Sequence, residues 1–241
     1  MQTIDLVRVA VALVAGFLLG GIPFGIIVPR LIGGPDPRTV GSGRTGGANV
    51  SRAVGFRWAA VSGLLDVAKA AVAVLLVVAI GGDQAAQVVA ALAAIVGHSR
   101  SPFIGFHGGR GVAPATGGAL IIAPLILAVI FPVFVLVIAV TRISSLGSLG
   151  ASLMGGIAMV VVTAVAPLPP IYYVYGIGVP GLIWLFHADN IVRLLSGKER
   201  RVGPSGPPEP TPAKGTTGRA DLAPDLAAGE PVGELSGIHR S

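Results

Sequence analysis

A glycine- and arginine-rich segment, residues 40–52, is the stretch of this sequence best suited to chemistry. It reads Val-Gly-Ser-Gly-Arg-Thr-Gly-Gly-Ala-Asn-Val-Ser-Arg and lies between two long apolar runs. Closely spaced glycines let successive backbone N–H groups converge on an anion, and arginine adds charge-assisted hydrogen bonds. The segment therefore predicts a phosphate-binding loop.

Two further polar segments combine glycine, small hydroxyls and arginine. Residues 98–111 end in Gly108-Gly109-Arg110-Gly111, and residues 141–148 contain Ser145. Short Gly/Arg loops are also ordinary on the cytoplasmic face of membrane proteins, where positive charge sets topology. That alternative explains the arginines but not two separate glycine clusters. We interpret the clusters as sites for a substrate, or substrates, with more than one phosphate.

Two pairs of polar residues accompany the apolar runs. His187 and Asn190 lie one helical turn apart at the end of the last run, either facing water or forming a hydrogen-bonding site for a polar ligand. Asp66 and Lys69 are three residues apart inside an apolar run, so they share a helix face and can pair. This second pair is either a structural ion pair or a polar wall of an active cavity.

The usual signatures of strong nucleophiles and cofactors are absent from the sequence. It has no cysteine, no Walker-type Gly-Lys-Ser/Thr and no Gly-x-Ser-x-Gly, and His98 and His107 lack carboxylates at metal-ligand spacing. We therefore predict no cofactor and no metal. An enzyme of this composition would position an already activated substrate.

The composition places these loops in a membrane protein. Mean hydropathy is +0.82 over 241 residues, only 12% are charged, and several apolar runs approach the roughly 20 residues that cross a bilayer. Residues 1–202 carry a net charge of +8, whereas residues 203–241 carry −2. Because the arginines lie in short loops between apolar runs, nucleic acid is excluded as a partner.

Charge and apolar pattern together predict an all-α integral membrane domain over residues 1–202. The turns near residues 81 and 167 have no Lys or Arg, whereas the other connections are basic, which by the positive-inside rule puts the basic loops on one face. We expect seven segments with the N-terminus outside, and residues 112–140 as a hairpin of two short helices turning near Pro124. The Gly-Gly-Ile-Pro element at 20–23 should kink the first span. The Pro/Gly-rich tail, residues 203–241, is predicted to be disordered.

Several spaced motifs resemble one enzyme family, the PlsY-type acyl-phosphate:glycerol-3-phosphate acyltransferases, over about residues 18–201. Residues 21–25 resemble the family's Ser-Ile-Pro-Phe-Gly, and residues 41–52 resemble its Gly-Ser-Gly-Asn-x-Gly-Ala-Thr-Asn-x-x-Arg. Residues 106–113 are similar to Phe-Lys-Gly-Gly-Lys-Gly-Val-Ala. Residues 141–148 resemble the third motif, and residues 187–194 resemble His-x-x-Asn-Ile-x-Arg-Leu. Arg44, His107 and Arg110 stand where the family has Asn, Lys and Lys.

The resemblance implies a fold, a reaction and a set of site residues. The fold is a seven-span protein of the bacterial plasma membrane with its site facing the cytoplasm. The reaction is acyl transfer from acyl phosphate to the 1-hydroxyl of glycerol 3-phosphate, giving lysophosphatidic acid and phosphate beside membrane lipid. By this resemblance, acyl phosphate would be bound by Gly41, Ser42, Gly43, Gly46, Asn49 and Arg52. Glycerol 3-phosphate would be bound by Gly108, Gly109 and Ser145. The catalytic residues would be Arg110, His187 and Asn190.

Two other function classes fit the same residues. A transporter or channel for phosphorylated anions would use Arg/Gly clusters but needs positive charge near the midplane on an open path. A non-catalytic relative could bind lipid phosphate without turning it over.

Overall fold

The computed structural model describes residues 6–202, and this part of the chain is entirely helical, without a strand. Residues 1–5 and the predicted tail, 203–241, lie outside the described residues. Ten α-helices follow one another within residues 6–202. They are α1 (Leu6–Gly21), α2 (Phe24–Leu31), α3 (Gly47–Val54), α4 (Phe56–Ala79), α5 (Gln84–Ser99), α6 (Val112–Ile122), α7 (Pro124–Thr141), α8 (Ser144–Val165), α9 (Ile171–Phe186) and α10 (Ala188–Leu195).

The long apolar helices confirm the membrane class. Within residues 6–202, α1 with α2, α4, α7 and α8 are long and apolar enough to cross a bilayer, and α9 with α10 make a fifth candidate bent by 68°. Helices α5 and α6 are shorter. The predicted count of seven segments and the external N-terminus therefore stay predictions.

Two predicted helix breaks lie where proline requires them. The first span is interrupted at Ile22 and Pro23, between α1 and α2. The long run at 112–141 divides at Ala123, and Pro124 takes the first helical position of α7. Proline fixes its own φ and lacks an N–H donor, so it suits a helix start and disrupts a helix interior.

Small residues let the membrane helices pack closely. A side chain added at Gly16 would lie 2.5 Å from the carbonyl oxygen of Ala90 on α5, and Gly20 meets the backbone of Ala94 in the same way. Gly117 on α6 packs against the carbonyl of Val67 on α4. Since lipid supplies no hydrophobic drive between helices, such close backbone approach is a main source of association. These contacts join α1 to α5 and α6 to α4, and α4 packs in turn against α1 and α5.

Candidate functional site

Asn49 holds the first glycine-rich loop in place. It is 2% exposed, and its Nδ2 donates to Ser42 Oγ at 3.1 Å and to the Arg44 carbonyl at 2.9 Å. Its Oδ1 accepts from Arg52 Nη1 at 3.0 Å and from the Ser42 backbone N–H at 3.4 Å. An amide has two donor hydrogens and two acceptor lone pairs, so every bonding position is used inside the protein. Asn49 therefore positions the loop, and a direct substrate contact would require one of these bonds to break.

The glycines of this loop fall into two groups, which differ in backbone conformation and in the space around them. Gly41 and Gly43 have φ of +59° and +68°, a region that L side chains rarely adopt. A side chain at Gly41 would also lie 2.5 Å from Asn49 Oδ1. Gly46 and Gly47, at the start of α3, instead have no atom within 4 Å of an added Cβ. The open space of this loop therefore lies at the N-terminus of α3.

The second loop uses its glycine pair differently from the predicted anion nest. The Gly109 N–H donates to the His98 carbonyl at 3.1 Å, and the Gly108 N–H donates to the Ser99 carbonyl at 3.2 Å. Both glycines are buried, and a side chain at Gly109 would collide with the His98 imidazole. The pair is needed for close packing on the end of α5, and its N–H groups are not free for an anion.

An ion-pair network runs from the second loop to α10 and the segment after it. Arg110 Nη2 lies 2.7 Å from Asp189 Oδ2, which also bonds Arg193 Nη2 at 3.1 Å. Burial would raise the pKa of Asp189, but the two arginines outweigh it and hold that pKa below its usual range. Glu199, whose side chain is 7% exposed, bonds Arg193 Nε at 3.0 Å and Asn190 Nδ2 at 2.7 Å. These contacts bring Arg110 and Asn190 into one network.

His187 lies in the link between α9 and α10 and is only 3% exposed, so the water-facing interpretation of this residue is wrong. Its Nδ1 bonds the Ile183 carbonyl at 2.8 Å. Since a carbonyl only accepts, Nδ1 carries the proton and Nε2 is left as an acceptor. Burial, with a further contribution from the Arg110 charge, lowers the pKa of His187 to about 4. The imidazole is therefore neutral at physiological pH.

Three predicted site residues carry a buried polar atom without a partner. They are Arg110 Nε, Ser145 Oγ and Asn190 Oδ1. A buried unpaired donor or acceptor costs about 1–3 kcal/mol, so such atoms are able to bind water or a ligand. They come from three separate segments of the chain and offer donors and an acceptor of the kind a polyol phosphate requires.

An apolar cavity adjoins these polar groups. It lies among α6, α7, α8 and α9, and its space, including the open mouth, is about 730 Å³. Val112, Ser148 and Ile183 line it. Along the chain they lie within about one helical turn of Arg110, Ser145 and His187, respectively. Tyr175, Met159 and Ala123 line it further along the helices. Neither Asp66 nor Lys69 lines this cavity, so their alternative role as its polar wall has no support.

Comparison with known proteins identifies the family. Residues 10–197 match the sequence profile described as glycerol-3-phosphate acyltransferase. A Dehalococcoides mccartyi protein named glycerol-3-phosphate acyltransferase 3 is 37% identical over 208 residues, covering 81% of this chain and 96% of the relative. A Synechococcus glycerol-3-phosphate acyltransferase is 42% identical over 192 residues, covering 80% and 92%.

This chain belongs to the glycerol-3-phosphate acyltransferase family. The crystal structure of PlsY, an integral membrane glycerol 3-phosphate acyltransferase, in its glycerol 3-phosphate form matches with a TM-score of 0.74 and 33% identity, covering 81% of this chain and 96% of that one. Its lysophosphatidic acid form matches with a TM-score of 0.72 and 32% identity, covering 81% and 95%. The resemblance inferred from spaced motifs is confirmed.

The geometry of this acyltransferase also includes groups that its sequence did not mark. Asp189 and Glu199 orient Arg110 and Asn190, and His98 supports the glycine pair. Asp189 adjoins a predicted residue and could have been suspected as a partner for Arg110. The contact of Glu199 with Asn190 depends on how the chain turns after α10, for which no local pattern gave a signal.

Proposed function

We propose that this protein transfers a fatty acyl group from acyl phosphate to the 1-hydroxyl of glycerol 3-phosphate, with lysophosphatidic acid and phosphate as products. Family membership supports acyl transfer to glycerol 3-phosphate. The single observation that carries the residue assignment is the group of unpaired buried atoms, Arg110 Nε, Ser145 Oγ and Asn190 Oδ1. Two donors and an acceptor suit a small phosphorylated polyol.

The two phosphates are assigned to different loops. The open N-terminus of α3, with Gly46, Gly47 and nearby Arg52, receives the head group of acyl phosphate. A helix N-terminus with free N–H groups favours an anion. Arg110, Ser145 and Asn190 hold glycerol 3-phosphate, and His187 Nε2 accepts a hydrogen bond from its 2-hydroxyl. Gly108 and Gly109 contribute indirectly, because they set the position of Arg110.

The chemistry requires no covalent intermediate on the enzyme. The glycerol hydroxyl oxygen attacks the acyl carbonyl carbon, and the bond between that carbon and the phosphate oxygen breaks. The bonding electrons leave with phosphate, and the hydroxyl proton passes to a base. Because acyl phosphate is a mixed anhydride with a good leaving group, alignment of the two substrates and stabilisation of charge are sufficient.

A substrate phosphate is the stronger candidate for that base. A phosphate monoester has a second pKa of about 6, whereas the pKa of His187 is about 4. The base whose pKa lies nearer the operating pH is the more effective. His187 then accepts a hydrogen bond from the 2-hydroxyl and orients the glycerol, while a substrate phosphate takes the proton of the 1-hydroxyl.

The cavity among α6, α7, α8 and α9 supplies the place for the acyl chain. It is lined almost entirely by apolar side chains and begins beside the polar residues. A fatty acyl group that enters it brings its carbonyl carbon toward Arg110 and His187. The same arrangement supports a reaction at the membrane surface, from which the lipid product leaves sideways into the bilayer.

The basic loops support an orientation with the site facing the cytoplasm, in a bacterial plasma membrane, and an external N-terminus. The chain has no cysteine, so single cysteines can be introduced as labels. We expect Pro167→Cys, in an exposed turn without basic residues, to react with an impermeant maleimide in intact cells. Ser196→Cys should react only after the membrane is opened, and the reverse result would contradict the orientation.

Phosphate release by purified protein tests the reaction. Palmitoyl phosphate and glycerol 3-phosphate should together give lysophosphatidic acid and inorganic phosphate, whereas either one alone should not.

An Arg110→Ala variant should raise the KM for glycerol 3-phosphate about tenfold or more, because a charge-assisted contact is lost. Full activity of that variant at limiting glycerol 3-phosphate would contradict the assignment. No release, combined with anion flux in liposomes, would instead indicate a transporter, and phosphate binding without either would indicate a non-catalytic relative.

A further inference from the structure

An ion pair lies on α4, and neither of its residues lines the apolar cavity described above. Lys69 Nζ is 2.6 Å from Asp66 Oδ1, and 3% and 6% of the two side chains are exposed. Charges placed within a membrane-spanning helix are costly, and such residues are usually retained for a function. The proposed reaction uses neither residue directly.

The Lys69 ammonium contacts two other segments of the chain in addition to its ion pair with Asp66. Besides Asp66, it donates to the Ile22 carbonyl at 2.6 Å and to His98 Nδ1 at 3.1 Å. Since an ammonium group has no acceptor, His98 Nδ1 must be the unprotonated ring nitrogen. One side chain on α4 therefore fixes both the break in the first span and the end of α5.

The contact with Ile22 determines where the first phosphate loop lies. Ile22 is in the break between α1 and α2, where Pro23 interrupts the helical hydrogen bonds. Beyond the break, Gly25 on α2 packs directly against the Thr45 carbonyl, at a distance that admits no side chain. Thr45 is 3% exposed and lies inside the first loop. A shift of the break would therefore move this loop.

The contact with His98 determines where the second loop lies. The His98 carbonyl accepts from the Gly109 N–H, and its imidazole fills the space beside Gly109. Arg110 follows directly in the chain. In addition, Ser101 Oγ donates to the Gly21 carbonyl at 2.6 Å, so the second loop also contacts the same break.

We propose that Lys69 is a positioning residue that couples the two phosphate loops, so that both substrates are held at the separation the reaction needs. The proposal rests on the assignment of acyl phosphate to the first loop and of glycerol 3-phosphate to the second. Lys69 contacts neither substrate; it acts through Ile22 and His98. A misplacement of about 1 Å in a reacting group can reduce a rate by about a hundredfold. The relative position of the two loops therefore has a large effect on the rate.

The test is a paired substitution, Asp66→Asn with Lys69→Met, which removes both charges together. A single Lys69→Met change would leave Asp66 buried without a counter-charge and endanger folding. Initial rates are measured with palmitoyl phosphate and glycerol 3-phosphate varied in turn. We expect the KM values for both substrates to rise roughly tenfold or more, whereas Arg110→Ala raises mainly the KM for glycerol 3-phosphate.

The matched control is Val77→Ala, a core change on the same helix, since Val77 is 1% exposed and lies away from the ion pair. It lowers thermal stability without touching Ile22 or His98, and both KM values should stay within about twofold of the original. If, for each substrate, the KM of the paired variant equals the KM of Val77→Ala, the proposal is overturned.

A second variant keeps the test decisive if the paired substitution does not accumulate. Lys69→Arg retains the charge but replaces three radial donors by a planar fork, so the three contacts cannot all keep their geometry. It should raise both KM values by a smaller factor, and unchanged values would again overturn the proposal. Turnover by the unmodified protein is measured in the same series. Its absence would refute the proposed reaction, whereas turnover with unaltered KM values in the variants would refute only the role of Lys69.

Discussion

The side-chain amide of Asn190 donates from Nδ2 to Glu199 Oε1 at 2.7 Å. A carboxylate can only accept, so the contact fixes which way the amide faces and leaves Oδ1 as a buried acceptor without a partner. Glu199 is itself held by Arg193 at 3.0 Å. In the proposed assignment, this acceptor of defined orientation faces the glycerol hydroxyls.

Replacing Asn190 by Leu should remove that acceptor at nearly constant volume. We expect kcat/KM for glycerol 3-phosphate to fall roughly 5- to 30-fold. This fall corresponds to the loss of about 1–2 kcal/mol of transition-state stabilisation from one hydrogen bond to substrate. The KM for acyl phosphate should change little, and Glu199 keeps its contact with Arg193. Steady-state kinetics with each substrate varied in turn checks the result, and an equal rise in both KM values would contradict it.

Replacing Asn49 by Ala should affect stability as well as binding. Asn49 makes four hydrogen bonds inside the first loop, so its loss should reduce the free energy of unfolding by roughly 1–3 kcal/mol and raise the KM for acyl phosphate. Unfolding by sodium dodecyl sulfate in mixed micelles measures the first effect. Ser51→Ala, on the same helix, is the control and should change neither quantity. Unchanged stability in Asn49→Ala would show that the amide faces substrate rather than the loop.

The pH dependence of the reaction should follow phosphate rather than His187. Because burial lowers the pKa of His187 to about 4, the imidazole stays neutral between pH 5 and 8. We expect kcat to rise with pH through about 6, where phosphate monoesters lose their second proton. His187→Gln should lower kcat but leave that midpoint in place. A midpoint that disappears in the variant would identify His187 as the base.

The same group makes stability depend on pH in a defined direction. The unfolded chain binds a proton on His187 below about 6.5, whereas the folded chain does so only below about 4. Falling pH therefore favours the unfolded state. The buried, neutral His187 contributes fully to the free energy of unfolding above a pH of about 6.5, and this contribution is lost as the pH falls from about 6.5 to about 4. His187→Gln should flatten this part of the stability profile. An unchanged profile would contradict the burial of a neutral imidazole.

Local sequence patterns were sufficient for the parts of the fold that depend on short-range chemistry. Proline predicted the breaks at Pro23 and Pro124, and apolar length indicated the membrane class. Spaced motifs indicated Arg110, His187 and Asn190, whose roles in the reaction stay a prediction. They were insufficient where roles depend on contacts between distant segments. The amide of Asn49 and the N–H groups of Gly108 and Gly109 are used internally, which depends on the folded loops. Spacing can show which residues gather at a site, but not which of their atoms remain free.

Acyl-chain length should be controlled by the width of the apolar cavity. Gly155 on α8 lines it, and a Cβ there would approach no atom closer than 3.9 Å, so a larger side chain projects into the space without distorting the helix packing. We expect Gly155→Ile to reduce kcat/KM for palmitoyl phosphate about tenfold or more while retaining most activity with octanoyl phosphate, because only the longer chain must pass this position. Gly150→Ile is the matched control on the same helix, since Gly150 is exposed and does not line the cavity. Equal losses for both chain lengths in Gly155→Ile, or the same preference for short chains in Gly150→Ile, would show that the acyl chain binds elsewhere.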